Sequence, residues 1–194
     1  MPGDLLFAVT LADKGLYARM QFQFDNMVDG SQALGFYETD DGWVLRSEAD
    51  KDFLSVAVTG DKCESEALVS QLMQAYVEYS GQTFPYVLVG LMQSHNVMIN
   101  PARPLVIYRS MSIELSAFDF DGVRLQSTQH GFESDGKKGE VTLNFDILDD
   151  LDRVVGCGEK QMVLGGLRPY DEAKMQALVA EYNAIKNAYS ASIE

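Results

Sequence analysis

The sequence has few of the residues that hold metal ions, with two histidines and two cysteines among 194 residues. His95 and His130 lie far apart, and neither has a cysteine pair close by. Structural zinc sites usually take four such ligands at short, regular spacings. The sequence therefore predicts no metal site, and no motif in it implies a cofactor.

Basic residues are also scarce. Lys and Arg together number 15, against 29 Asp and Glu residues, which gives a formal net charge of -14 at pH 7. A field of that sign repels the phosphates of nucleic acids and the headgroups of anionic lipids. We therefore expect neither nucleic acid nor a membrane surface to be a partner.

Targeting and membrane-spanning patterns are missing as well. The sequence shows no basic segment followed by an apolar leader, and no apolar run approaches the roughly 20 residues of a membrane helix. Its two cysteines are Cys63 and Cys157. These features predict a soluble, cytoplasmic protein with free thiols.

Apolar residues in regular patterns are what the sequence does contain. They make up 46% of the chain, enough for 194 residues to bury one core. Residues 16–24, 111–117 and 141–147 alternate apolar and polar side chains with the period of a half-buried strand. Asp-Gly turns within 118–122 and 133–140 favour antiparallel order for the later strands.

Two other segments have helical periodicity. In residues 65–79 the apolar side chains fall in one arc, formed by Leu68, Val69, Leu72, Met73 and Tyr76. Residues 171–191 carry a second apolar stripe and begin just after Pro169, as helices often do. The sequence therefore predicts two helices, one in mid-chain and one at the C-terminal end.

These elements predict an α+β fold in which an antiparallel sheet wraps around one long apolar helix, with a C-terminal helix added. We expect a single domain over residues 1–194. Its core would cover about 30–167, and residues 168–194 would form a helical tail.

The chain resembles the hot-dog fold of acyl-thioester enzymes over roughly residues 30–167. The resemblance rests on two segments, WVLRSEADKDFLSVAVTGDKCESEALVSQLMQAY and NPARPLVIYRSMSIELSAFDFDG. In that fold a helix with a Glu-Ala or Asp-Ala opening precedes a strand with an Arg-Pro element. Glu66-Ala67 and Arg103-Pro104 match these two features.

The resemblance implies action on acyl-CoA or acyl carrier protein, with thioesterase-like hydrolysis as the first expectation. Thr59, Gly60 and Glu66 match the "TG…E" segment of the long-chain acyl-CoA thioesterase-like branch. The alternative is a 3-hydroxyacyl carrier-protein dehydratase, whose helix has a glutamine four residues after the acid. This chain has Ser70 there and Gln71 one place later. A non-catalytic acyl-binding or dimeric scaffold module is the third possibility.

Glu66 is the main catalytic candidate. A helix N-terminus offers main-chain N–H donors and the positive end of the dipole, and Glu66 lies within about one turn of it. Thioester chemistry needs such donors and a carboxylate acting as base or nucleophile. The alternative is simpler, since acidic residues complement the dipole in any first helical turn.

Other candidates come with alternatives too. Cys63, just before the helix, would be a nucleophile if its pKa were depressed, or an apolar filler. His95 is a candidate source of a catalytic imidazole or a satisfied core histidine. The resemblance implies substrate-binding roles for Gly60 and Cys63 beside the helix.

An anionic acyl carrier needs a local basic patch, because the whole chain repels it. Arg103 and Arg109 flank PLVIY and are the first candidates, with Lys137, Lys138 and Arg168 as others. We also expect a homodimer, because a lone sheet of this kind would leave an edge strand unpaired.

Overall fold

The computed structural model describes residues 3–28 and 33–191. The chain divides into two compact units. The first unit comprises residues 1–79, 108–131 and 142–162, and the second comprises residues 80–107, 132–141 and 163–194.

The first unit begins with a helix and four strands, followed by a long helix and the greater part of four more strands. The elements are α1 (Gly3–Lys14), β1 (Tyr17–Phe24), β2 (Leu34–Thr39), β3 (Gly42–Ser47), β4 (Asp52–Lys62), α2 (Glu66–Gln82), β6 (Leu105–Leu115), β7 (Arg124–Ser134), β8 (Lys138–Leu148) and β9 (Val154–Gly165).

These strands form an eight-stranded antiparallel sheet in the order β2-β3-β4-β1-β6-β9-β8-β7. Strand β1 lies between β4 and β6. Its pairing register shows why apolar and polar residues alternate in its sequence. Phe22 lies opposite Val56 on one side and Met111 on the other. All three side chains are buried, at 2% exposure or less. The period-2 prediction for residues 16–24 and 111–117 is therefore confirmed.

Helices α1 and α2 cover the apolar face of the sheet. Phe7 of α1 joins the layers, because its ring centroid lies 5.2 Å from that of Phe22 and 4.5 Å from that of Tyr76. On α2 the buried residues are Leu68, Leu72, Ala75 and Tyr76. The predicted apolar arc of this helix thus points to the core, with Val69 and Met73 half-buried at its margin.

The mid-chain helix is longer than the predicted 65–79. After α2 the chain continues through a π-helical segment, Thr83–Leu88, into α3, Val89–Ser94. The continuous helix has 29 residues. Pro85 lies in the π-helical segment. Proline has no N–H to donate, and a wider turn accommodates it without ending the helix.

The second unit contains α3, the short strands β5 (Val97–Met98) and β10 (Arg168–Pro169), and α4 (Glu172–Ala191). Strands β5 and β10 pair antiparallel. On α4, Met175 is buried and Tyr182 places its ring 5.2 Å from that of Phe84. The predicted C-terminal helix is confirmed, although its apolar residue Ile185 is 65% exposed.

Helix α1 was not predicted. Its segment GDLLFAVTLADK has apolar residues on nearly all sides, which does not distinguish a helix from a buried strand. Its side chains Leu6, Phe7 and Leu11 are buried, at 3% exposure or less. Within the described residues, no helix combines the length and the apolar character that crossing a membrane requires.

Candidate functional site

The predicted site begins where β4 ends and α2 starts. The Cys63 N–H donates to the Leu16 carbonyl oxygen at 2.8 Å, which holds this connection against β1. Ser65 caps the helix, because its Oγ accepts a hydrogen bond from the Leu68 N–H at 3.2 Å. The Cys63 side chain is 5% exposed and belongs to the apolar core.

Glu66, Ser70 and Gln71 all lie on the exposed side of α2. Glu66 is the acidic residue of the first turn, and Ser70 follows it one turn later. The structure thus brings these three candidates close together on one helix. Glu66 is exposed, so solvent reaches its side chain. Its catalytic role stays a prediction.

Gly60 has a clear backbone role. Its φ is +80°, and a Cβ at this position would lie 2.9 Å from the Cβ of Ala18. The pairing register between β1 and β4 shifts in the same place, between Tyr17 and Arg19. Glycine is favoured at such a bulge because it adopts positive φ without strain. A substrate-binding role for Gly60 stays a prediction.

His95 and Arg103 belong to the second unit, and both are exposed. His95 ends α3, where its Nδ1 lies 2.9 Å from the Leu91 carbonyl oxygen. Its ring centroid lies 4.6 Å from that of Phe132. Arg109, in the first unit, is an exposed residue of β6.

A polar cluster that the sequence did not predict lies inside the first unit. The Asp4 carboxylate of α1 accepts hydrogen bonds from the hydroxyls of Tyr76 and Tyr108, each at 2.6 Å. Lys160 Nζ donates to the same carboxylate at 2.8 Å. Lys160 is 0% exposed and Tyr76 is 1% exposed. We call these four residues the Asp4 cluster.

Burial sets the electrostatics of the Asp4 cluster. It lowers the pKa of Lys160, and the Asp4 carboxylate opposes that change by favouring the charged ammonium. Burial also raises the pKa of Tyr76 well above its usual value, and the negative charge of Asp4 adds to the effect. Three donors on one carboxylate are a stable arrangement for a buried charge, and they tie α1, α2, β6 and β9 together.

One sequence feature could have indicated this cluster. In β9 the buried positions alternate through Gly158, Lys160 and Met162. A lysine at an inward position of a strand must find a carboxylate partner, since an isolated buried ammonium is very costly. The partner was not identifiable, because Asp4 lies 156 residues earlier in a helix that was not predicted.

The face of the sheet opposite the core holds an open pocket of about 230 Å³. Its lining includes Arg19, Glu114, Asp146 and Cys157. Partial burial raises the pKa of the Cys157 thiol, and the charges of Glu114 and Asp146 raise it further. The thiolate is therefore disfavoured, which argues against Cys157 as a nucleophile. The described residues include no group of three or more His, Cys, Asp or Glu side chains able to hold a metal ion.

The model of the DUF3581 family, described as a protein of unknown function, matches residues 1–173. The chain belongs to the DUF3581 family. No curated protein sequence is significantly similar to it.

Solved structures resemble this DUF3581 protein at low sequence identity. Acyl-CoA thioesterase II from Mycobacterium marinum is 9% identical, with a TM-score of 0.51 over 87% of this chain and 90% of that one. A tesB protein from Mycobacterium avium subsp. paratuberculosis is 10% identical, with a TM-score of 0.46 over 84% and 87%. An N-terminal dehydratase from the difficidin assembly line is 10% identical, with a TM-score of 0.36 over 92% and 87%.

The likeness to the Mycobacterium marinum protein is a likeness of fold. It confirms the predicted α+β architecture, a hot-dog-like antiparallel sheet on one long helix, with a C-terminal helix.

Proposed function

We propose that this DUF3581 protein acts on acyl thioesters, as a thioesterase-like hydrolase. The observation that carries the proposal is the fold, which follows that of an acyl-CoA thioesterase II over 87% of the chain. The substrate would be an acyl-CoA or an acyl carrier protein.

The start of α2 offers the groups that hydrolysis requires. The first N–H groups of a helix have no acceptor within the helix. Among the described residues, the Ser65 hydroxyl accepts from one of them, the N–H of Leu68. The N–H groups of Glu66 and Ala67 remain to stabilise the oxyanion that forms on a thioester carbonyl. An exposed carboxylate at Glu66 has access to substrate and water.

In the proposed reaction Glu66 accepts a proton from a water molecule, and the resulting hydroxide attacks the thioester carbonyl carbon. The tetrahedral oxyanion then collapses, the carbon–sulfur bond breaks, and the leaving sulfur takes the proton back from Glu66, which restores the carboxylate. The products are the free acid and the free thiol of the carrier. Ser70 and Gln71, near Glu66 on α2, are proposed to hold the water or the acyl group.

The second candidate is a module that binds an acyl chain without reaction, or serves as a scaffold. Two methionines in the second unit favour it, because Met92 is 0% exposed and Met98 is 1% exposed. Side chains packed in this way fill space that an acyl chain would otherwise need.

The test is incubation of the full chain with a panel of acyl-CoA and acyl-carrier-protein substrates of increasing chain length. Release of the carrier thiol is measured with a thiol reagent, and the acid is identified by mass spectrometry. The hydrolase proposal expects thiol and acid in equal amounts from at least one substrate. Binding without release of either would favour the second candidate.

A further inference from the structure

Three aromatic rings and two lysines form a row of contacts in the first unit, which ends at Lys62, shortly before α2 in the sequence. The Lys14 Nζ lies 5.2 Å from the ring centroid of Phe36 and 5.8 Å from that of Trp43. The rings of Trp43 and Tyr17 are 5.7 Å apart. Lys62 Nζ lies 5.8 Å from the Tyr17 centroid. We call these five residues the aromatic–lysine row.

Five elements of the first unit build the row, with one residue from each. Tyr17 lies opposite Lys62 in the pairing of β1 with β4, while β2 and β3 supply Phe36 and Trp43. Lys14 comes from the last turn of α1, where a cation also complements the helix dipole. The three rings are half-buried, so each keeps an accessible part.

Gly15 makes room for one end of the row. Its φ is +87°, and a Cβ there would lie 2.8 Å from Cε of Lys62. Any larger residue would therefore push the Lys62 side chain from its place and would also strain the backbone. The observed position of the Lys62 side chain therefore depends on a glycine at residue 15.

The two lysines differ in whether a carboxylate of the described residues already neutralises their charge. Lys14 pairs with Asp13 at 3.0 Å. Lys62 is exposed, and no carboxylate of the described residues forms an ion pair with it, although Asp61 and Glu64 are close in sequence. In a chain with a net charge of -14, an exposed lysine without an ion pair is a natural contact for a phosphate.

We propose that the aromatic–lysine row binds a phosphorylated purine nucleotide, with the base against Trp43 and Tyr17 and a phosphate at Lys62. Aromatic rings bind the flat face of a base, and an ammonium group binds phosphate oxygens. Lys62 lies only four residues before Glu66 in the sequence. The proposal rests on the proposed function, since the nucleotide of an acyl-CoA would then lie beside the candidate catalytic carboxylate.

Trp43 provides the test, because it is the only tryptophan in the chain. The fluorescence of the full-length protein is titrated with CoA, with adenosine 3′,5′-diphosphate and with pantetheine. CoA and the diphosphate should quench Trp43, whereas pantetheine, which has neither base nor nucleotide phosphate, should not. Equal affinity for CoA and the diphosphate would assign the binding to the nucleotide alone and would still support the proposal.

Lys62→Gln should weaken CoA binding roughly tenfold, the effect of one charged hydrogen bond. Lys51→Gln is the matched control. Lys51 is exposed like Lys62, and its Nζ likewise lies near an aromatic ring, 5.2 Å from the ring centroid of Phe53. No response of Trp43 to CoA or the diphosphate, equal quenching by pantetheine, or equal effects of the two variants would overturn the proposal.

The same titration separates this proposal from the proposed function. Quenching by CoA without turnover of any acyl-CoA would support the nucleotide site and count against hydrolysis. Turnover of acyl-CoA with a silent Trp43 would support hydrolysis and overturn the nucleotide site.

Discussion

Lys160 Nζ and Asp4 Oδ1 lie 2.8 Å apart, although 156 residues separate them in the sequence. This ion pair joins α1 to β9 inside the first unit, where the lysine side chain is 0% exposed and the aspartate side chain is 26% exposed. A buried pair of this kind makes the position of α1 depend on both charges.

Lys160→Met should destabilise the protein by about 3 kcal/mol, because it removes the buried ammonium that donates to the Asp4 carboxylate. The figure is at the lower end of the usual range, since Asp4 is partly exposed. Urea unfolding at pH 7 measures the change. The double variant Asp4→Asn/Lys160→Met should lose less than Lys160→Met alone. Lys174→Met, which removes an exposed pair with Asp171, is the control and should change stability by less than about 1 kcal/mol.

Tyr76→Phe should cost about 1–3 kcal/mol, since Asp4 loses one of its donors. The same variant tests the raised pKa of Tyr76, which burial and the Asp4 charge keep protonated. In an alkaline titration followed by tyrosinate absorbance, the native wild-type protein should show no more ionised tyrosine than the variant until it unfolds. A tyrosine that ionises near its ordinary pKa in the wild type and is missing from Tyr76→Phe would contradict the assigned environment.

Asp149 should make the protein sensitive to acid. Burial raises the pKa of its carboxyl, but the hydrogen bonds from Arg153 and from the N–H of Leu151 lower it by more, so the net change is downward. A lowered folded pKa gives stability that is present above the unfolded value, 3.8, and is lost as pH falls through the folded value.

Asp149→Asn should therefore be less stable than wild type at pH 7, with a gap that narrows on acidification. Thermal unfolding from pH 7 to pH 2.5 measures the gap. The control is Asp119→Asn, at an exposed position without an ion pair in the described residues. A gap that stays constant with pH would show that the hydrogen-bonded carboxylate is not the cause.

Glu66→Gln separates catalysis from helix stabilisation. If Glu66 is the base, turnover should fall by roughly 10²-fold or more, while the lost dipole interaction costs at most about 1 kcal/mol. The thermal midpoint should move by only a few degrees. Glu78→Gln, an exposed glutamate on the same helix, is the matched control. Wild-type turnover in Glu66→Gln would leave Glu66 with the dipole role alone.

The sheet should form a homodimer in solution. Strand β7 has 11 residues and lies at the edge of the described sheet, with β8 on one side only. It contains no lysine or proline, the residues that usually protect an edge from pairing. Light scattering at micromolar concentration should give twice the chain mass of 21.5 kDa. A mass of one chain would contradict the prediction.

Local patterns were sufficient to predict three of the eight strands of the described sheet, β1, β6 and β8. Met111, Ile113 and Leu115 alternate with polar residues, and all three are buried in β6. Apolar and polar residues alternate in such a strand because every second side chain faces the same core. The helix at 65–79 was equally clear, since Leu68, Leu72 and Tyr76 recur at helical spacing and are buried.

The Asp4 cluster could not be predicted in the same way. Asp4 follows Gly3 and precedes an apolar run, so by itself it indicates only an acid in the first turn of a helix. Its meaning depends on Tyr108 and Lys160, which reach it through tertiary contacts made by strands far along the chain. Sequence patterns carry little information about such pairings.

Hydrolysis of an acyl thioester is the central claim, and a 3-hydroxyacyl-CoA tests it most directly. After incubation with the wild-type protein, mass spectrometry of all products distinguishes the outcomes on one substrate. The proposed function predicts the free 3-hydroxy acid and free CoA in equal amounts, with a rate that falls in Glu66→Gln. An intact thioester that has lost one water would mean dehydration and would contradict the hydrolase assignment. Unchanged substrate would contradict it too, if the same result is found with 3-hydroxyacyl-CoA of every chain length tested.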